Sequence, residues 1–203
     1  MPRERAKPYH HGDLKAALVD GAVAMINERG ARGFSLAALS RRLGVTVGAP
    51  YRHFADRDAL LAAVAVRALE TFAEALAEHT SDGDPPDERL AAMAAAYVRF
   101  AAEQPALFSV VFGMGLDKKA SYPELRRAYT KVESTLEASV AALCPGDDEA
   151  AEQLADAIEA TAHGYAALLT DRPGTPDSKD VDRASEQAAR AVRALIQGRA
   201  ALG

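Results

Sequence analysis

The chain has 203 residues, no tryptophan and one cysteine, Cys144. A lone thiol cannot close an intrachain disulfide and fits a reducing compartment. It stands either as a buried thiol or as a redox switch. The paired Cys or Cys/His spacing of a zinc site is missing, and the adjacent His10-His11 has no third ligand nearby in sequence, so neither a metal nor a cofactor is expected. No apolar run approaches the roughly 20 residues that span a bilayer, and the opening MPRERAKPYHHGDL holds no hydrophobic signal core. No membrane contact and a cytoplasmic location are expected. Alternating strand patterns are missing as well, as are a nucleophile elbow and a phosphate-cradling glycine loop. That argues against an enzyme.

What the chain has is alanine and leucine, with hydrophobic residues making up 49% of it. The periodicity predicts an all-α protein of about nine helices. The net charge of −5 would disfavour nucleic acid if it were spread evenly. It is not. Residues 1–57 carry ten Lys/Arg against five acids, whereas 58–203 carry fourteen against twenty-four. A basic module on an acidic body suits DNA binding.

The spacing predicts a polar arm over 1–9, then a helix over about 13–29 with Leu14, Ala17, Leu18, Ala22, Met25 and Ile26 on one face. Asp56 caps a long helix whose apolar stripe is Leu60, Leu61, Val64, Ala68, Leu69, Phe72 and Leu76. The run SDGDPPDE (81–88) is a boundary of acids, glycine and paired prolines. It divides an arm and DNA-binding domain (1–56), joined by the connecting helix 56–80, from a second domain (81–203). Further helices are expected over about 87–103, 106–112, 122–143, 147–170 and 178–198, punctuated by Pro105, Gly113, Pro145 and the 173–176 loop.

The most informative stretch is SLAALSRRLGVTVGAPYRHF (35–54). Ser35 can cap a first short helix with a stripe of Leu36, Leu39 and Leu43. Gly44 ends it where a positive φ is needed, and Val45 returns to the core. Thr46 can cap a second helix over 47–53, with Pro50 in its first turn. Two such short helices need a supporting third, the arrangement of a helix-turn-helix whose second helix enters the DNA major groove. An ordinary αα-hairpin is the alternative. Against it, the outer face of the second helix (Thr46, Gly48, Ala49, Arg52) carries almost no aliphatic surface, and Arg41, Arg42, Arg52 and Arg57 flank it where phosphates would lie. Thr46, Val47, Gly48 and Ala49 are small enough for methyl contacts to thymine and close backbone approach. Arg52 reads a base or contacts phosphate. Arg57, at a helix N-terminus, favours phosphate or is simply solvated.

This pattern resembles the TetR family of one-component regulators. The resemblance rests on the first helix with its glycine-rich end, on LAALSRRLGVT and on APYRHFADRDALLAAV, and covers roughly residues 9–66. YHHGDLKAAL and AHGYAALL (162–169) further resemble a subgroup whose ligand domain is named for a Trp-His-Gly motif, of which His163-Gly164 is kept here. The resemblance implies a homodimer, repression of an operator relieved by a small effector, and no catalysis. It also implies that Tyr51 and His53 donate to phosphate while Phe54 locks the turn. The candidate DNA contacts are thus Ser35, Arg42, Thr46, Val47, Gly48, Ala49, Tyr51, Arg52, His53 and Arg57, on a double-stranded, pseudo-palindromic operator. The basic arm (Arg3, Arg5, Lys7) enters the minor groove or is an idle tail.

For the second domain, Tyr97, Phe100, Phe108, Phe112, Met114 and Tyr129 are candidates to line a cavity for a small apolar effector, with Met93 and Tyr122 on the same helices. His163 serves as a hydrogen-bonding group there or lies on a dimer face of small residues. The dimer interface is expected from the helices over 147–170 and 178–198 together, the last contributing Ala184, Ala188, Ala191 and Leu195 on one face with Val192 adjacent. A DNA-binding regulator without an effector stays open as the rival reading.

Overall fold

The computed structural model describes residues 14–30, 33–81, 83–113, 121–171 and 174–201. The arm, His10-His11 and Met114 lie outside them. Among the described residues the structure is all-helical. The α-helices are α1 (Leu14–Arg29), α2 (Leu36–Leu43), α3 (Arg57–His79), α4 (Pro86–Glu103), α5 (Pro105–Gly113), α6 (Pro123–Leu143), α7 (Asp148–Thr170) and α8 (Ser178–Gln197), with 3₁₀ turns at Pro50–Arg52 and Arg199–Ala201.

Local chemistry sets the boundaries. Ser35, Asp56, Asp147 and Asp177 each accept a backbone N–H of the first turn of their helices, from Ala38, Ala59, Ala150 and Asp180. Prolines open α4, α5 and α6, where their missing N–H costs nothing. The apolar stripe of α3 is buried throughout, from Leu60 to Leu76. The core is one continuous cluster drawing on every α-helix.

α1, α2 and the turn after it form a small unit at one end. α2 lies so close on α1 that a Cβ on Gly21 would come within 2.8 Å of Leu39 Cδ1. Gly44 closes α2 at φ 68°, and the Val45 N–H returns to the Ser40 carbonyl at 3.0 Å. A Cβ on Gly44 would meet nothing within 4 Å, so the left-handed backbone alone resists substitution there. Gly44→Ala is therefore expected to cost about 1–2 kcal/mol, read as a lower urea midpoint; an unchanged midpoint rejects this account.

Three expectations are corrected. The helix expected over 47–53 is a turn followed by the 3₁₀ segment Pro50–Arg52. Its bonds are mostly of the tighter i to i+3 kind (Ala49 N–H to Thr46, Arg52 to Ala49, His53 to Pro50), because Pro50 has no N–H to return to the Thr46 carbonyl. Val45 is only half-buried and stays outside the core cluster.

The third correction concerns α8. Ala184, Ala188 and Val192 are buried inside the protomer, where α8 packs along α4, the small side chains allowing close approach. Of the expected dimer face, only Ala191 and Leu195 remain accessible.

Candidate nucleic-acid interface and internal cavity

The loop from Val45 to Phe54 is held from behind. Pro50 and Phe54 are buried, and Lys15 Nζ stands 6.0 Å from the Phe54 ring centroid. With those two residues turned inward, Thr46, Val47, Gly48, Tyr51, Arg52 and His53 are exposed, and Ala49 is half-buried. Val47 and Tyr51 are each 55% exposed. The only other large hydrophobic so exposed among the described residues is Leu168. Folding of the protomer alone does not account for either Val47 or Tyr51 in water.

Other candidates border this surface in supporting positions. Ser35 caps α2. Arg42 donates to Glu28 at 2.7 Å, which raises the guanidinium's already high pKa and lowers that of the carboxyl. Arg57 Nε donates to the Phe34 carbonyl at 3.2 Å, its guanidinium 5.8 Å from the Phe34 ring centroid and beside Asp58. Arg57 thus fastens the start of α3 to the loop preceding α2. That role was not foreseen, since nothing in the sequence pairs residues 34 and 57.

A cavity of about 360 Å³ lies between α3, α4, α5, α6 and α7. It brings together Tyr97, Phe100, Phe112 and Tyr129 of the expected set, along with Met93. Phe108 and His163 do not line it. They stand behind Tyr97, whose hydroxyl is 2.9 Å from His163 Nδ1, while Phe108 stacks on the His163 ring at 5.7 Å. Tyr129 Oη donates to the Val111 carbonyl at 2.8 Å, tying α6 to α5.

The lining also holds residues outside the expected set: Leu69, Phe72 and Leu76 from the stripe of α3, and two carboxylates, Glu133 of α6 and Glu159 of α7. Burial chiefly, and then the Glu159 charge, makes the Tyr97 phenol harder to ionise. Burial with Glu133 and Glu159 does the same for Tyr129. A signal for Glu133 existed. Tyr129, Val132, Glu133 and Leu136 share one face at helical spacing, with an acid inside an apolar stripe.

A short helix followed by an exposed turn, with the longer α1 packed against that helix and α3 leading away, is the arrangement of a helix-turn-helix protein. Comparison with known proteins makes this specific. The family model for bacterial regulatory proteins, tetR family, matches residues 18–64. The model for a tetracyclin repressor-like C-terminal domain matches 90–195. The chain belongs to the TetR family of DNA-binding transcriptional regulators.

It is similar to the uncharacterized HTH-type transcriptional regulator YobS of Bacillus subtilis (strain 168), 31% identical over 53% of this chain and 56% of YobS. The match to that relative thus spans little more than half its length. HTH-type transcriptional regulator BetI of Rhizobium meliloti is 27% identical over 81% of this chain and 79% of its own. A solved protein of unknown function from Rhodococcus sp. RHA1 superposes with a TM-score of 0.67 at 28% identity, covering 92% of this chain and 98% of that one. Among the described residues no helix is long and apolar enough to cross a membrane.

Proposed function

We propose that the chain is a repressor that binds a pseudo-palindromic operator as a homodimer and releases it when a small, largely apolar molecule fills the cavity, without catalysis of its own. In this reading, residues 1–56 form the DNA-binding domain and 81–203 the effector and dimerisation domain, with α3 between them. One observation carries the proposal: α3 belongs to both ends. Its N-terminus is fastened to the helix-turn-helix through Arg57 and Phe34, and Leu69, Phe72 and Leu76 on the same rod line the cavity. From Arg57 to Phe72 the helix runs about 22 Å, stiff enough to carry a tilt from the cavity to the turn. α5 adds a second link, because it packs on both α1 and α3 while Val111 and Phe112 line the cavity. A regulator without an effector would have no use for such a chamber.

On the DNA side, Val47 and Thr46 offer methyl groups to thymine, Gly48 and Ala49 allow close approach, Arg52 reads a base, and Tyr51 and His53 hold phosphates. Arg42 and Arg57, each engaged within the protein, contribute positive potential at the edges. The test is selection of bound duplexes from a random pool, followed by salt titration on the selected site. A two-fold symmetric site with half-sites about 34–36 Å apart, or a multiple of that, is expected. Tyr51→Phe should weaken all sequences alike, whereas Arg52→Ala should relax preference at one position per half-site at a cost of about 1–3 kcal/mol. Selection that yields no symmetric site, or Tyr51→Phe and Arg52→Ala binding as tightly as the parent, would falsify this reading.

A further inference from the structure

Among the described residues, every hydrogen-bond donor in the cavity wall is already taken. Each lining residue lies in a helix beyond its first turn, where the backbone N–H is bound to the carbonyl four residues back. The carboxylates of Glu133 and Glu159 accept hydrogen bonds and donate none. The lining side chains that carry a donor are Tyr97 and Tyr129. Tyr129 gives its hydrogen to the Val111 carbonyl at 2.8 Å. Tyr97 Oη meets His163 Nδ1 at 2.9 Å, and the surroundings of the phenol set the direction of that bond. The Tyr97 ring packs against those of Phe72, Phe108 and Phe112, with centroids 5.5, 5.6 and 5.5 Å away. Were His163 the donor, the phenol hydrogen would have no acceptor among the described residues, which is costly for a hydroxyl so enclosed. This assigns the hydrogen bond: Tyr97 donates, and His163 accepts at Nδ1 with its own hydrogen on Nε2.

A wall whose donors are taken offers a ligand only lone pairs. A ketone, ester or ether oxygen would give up its hydration there and receive nothing in exchange. A carboxylate loses more, because it is charged as well. A charged ammonium would be desolvated among Leu69, Phe72, Phe100 and Val111, all apolar and buried. A hydroxyl is uncharged and brings its own hydrogen. Tyr97 Oη, with its hydrogen directed to His163, keeps a lone pair to accept it. We infer that the cavity takes an uncharged, largely apolar molecule bearing a hydroxyl, an alcohol or phenol whose O–H donates to Tyr97 Oη. His163 is the positioning residue that fixes the direction of that bond. The ligand hydroxyl, Tyr97 and His163 then form a head-to-tail chain in which each bond polarises the next. This rests on the reading of the cavity as the effector site and narrows it to one ligand class.

The test titrates three probes with the same length of carbon chain, 2-octanol, 2-octanone and octanoate, by calorimetry into the full chain without DNA. In the parent, 2-octanol is expected to bind about fivefold more tightly than 2-octanone, with octanoate the weakest. Tyr97→Phe removes the accepting oxygen and should bring alcohol and ketone to within about twofold of each other. His163→Phe keeps a ring against Phe108 but frees the Tyr97 hydrogen, so 2-octanone should bind about fivefold more tightly than it does to the parent. Thermal unfolding verifies that both variants fold, and the comparison in the parent stands without them. The inference is overturned if 2-octanone or octanoate binds the parent as tightly as 2-octanol, or if 2-octanol does not bind. It is overturned equally by an alcohol preference that survives Tyr97→Phe, or by a 2-octanone affinity that His163→Phe leaves unchanged. Failure of the regulator reading is separate: it shows as operator affinity unmoved by bound 2-octanol.

Discussion

Leu168→Glu is expected to leave the fold intact and to convert the protein in sedimentation from twice 21.5 kDa to 21.5 kDa at micromolar concentration. Leu168 is 70% exposed on α7. Two turns earlier on α7, Thr161 lines a shallow groove of small and apolar residues with Ala191, Ala194, Leu195 and Gly198 of α8. Two copies of the α7–α8 pair packed across a two-fold axis would make a four-helix bundle in which each Leu168 is covered. Since the side chain is in water in the protomer, a glutamate there should change folding stability by no more than about 0.5 kcal/mol. At a two-fold interface the same change puts two carboxylates where apolar surface should meet. Loss of the dimer removes simultaneous engagement of both half-sites, so operator affinity should fall by roughly 10²- to 10⁴-fold. A parent chain that sediments at 21.5 kDa, or a variant that stays dimeric, rejects this interface.

The second large effect is expected on the operator when the cavity is filled. A molecule lodged against Leu69 and Phe72 displaces α3 at its middle, and one lodged against Phe112 displaces α5, which bears on α1 and α3. Either motion tilts the start of α3 and with it the turn that Arg57 and Phe34 join to it. Both half-sites then lose register together. Coupling of this kind amounts to roughly 1–3 kcal/mol, a ~5- to 150-fold loss of operator affinity. Linkage requires DNA to weaken ligand binding by the same factor. Calorimetry with and without operator, using whichever probe binds the cavity, checks it. Identical ligand affinities in the two titrations would exclude derepression by this route.

Much of this protein was legible in the residues themselves. Helix limits were, because they depend on neighbours in sequence: the oxygens of Ser35, Asp56, Asp147 and Asp177 reach N–H groups three residues on, Gly44 takes a left-handed backbone, and prolines open helices. The outward positions Thr46, Gly48 and Arg52 were legible too, since the face they share carries almost no aliphatic side chain, whereas Ala49 on the same face is half-buried. What escaped depends on contacts between distant segments. The 3₁₀ geometry of Pro50–Arg52 follows from a missing proline N–H together with a loop clamped by Phe54, where pattern reading alone predicts a regular helix.

The faces of α8 are the clearest case. Its alanines ran along a strip that sequence could assign equally to a partner subunit or to the protomer's own core. Only the close approach of α4 assigns Ala184, Ala188 and Val192 to the interior and leaves Ala191 and Leu195 outside. The acids of the cavity lining were undecidable for the same reason. Glu133 and Glu159 stand twenty-six positions apart on separate helices, and a charged residue on an amphipathic helix is ordinarily just solvated. Periodicity and capping are local energies, decided within a turn or two of chain. Which stripe finds which partner, and which charges come to line one cavity, is decided only when the helices pack.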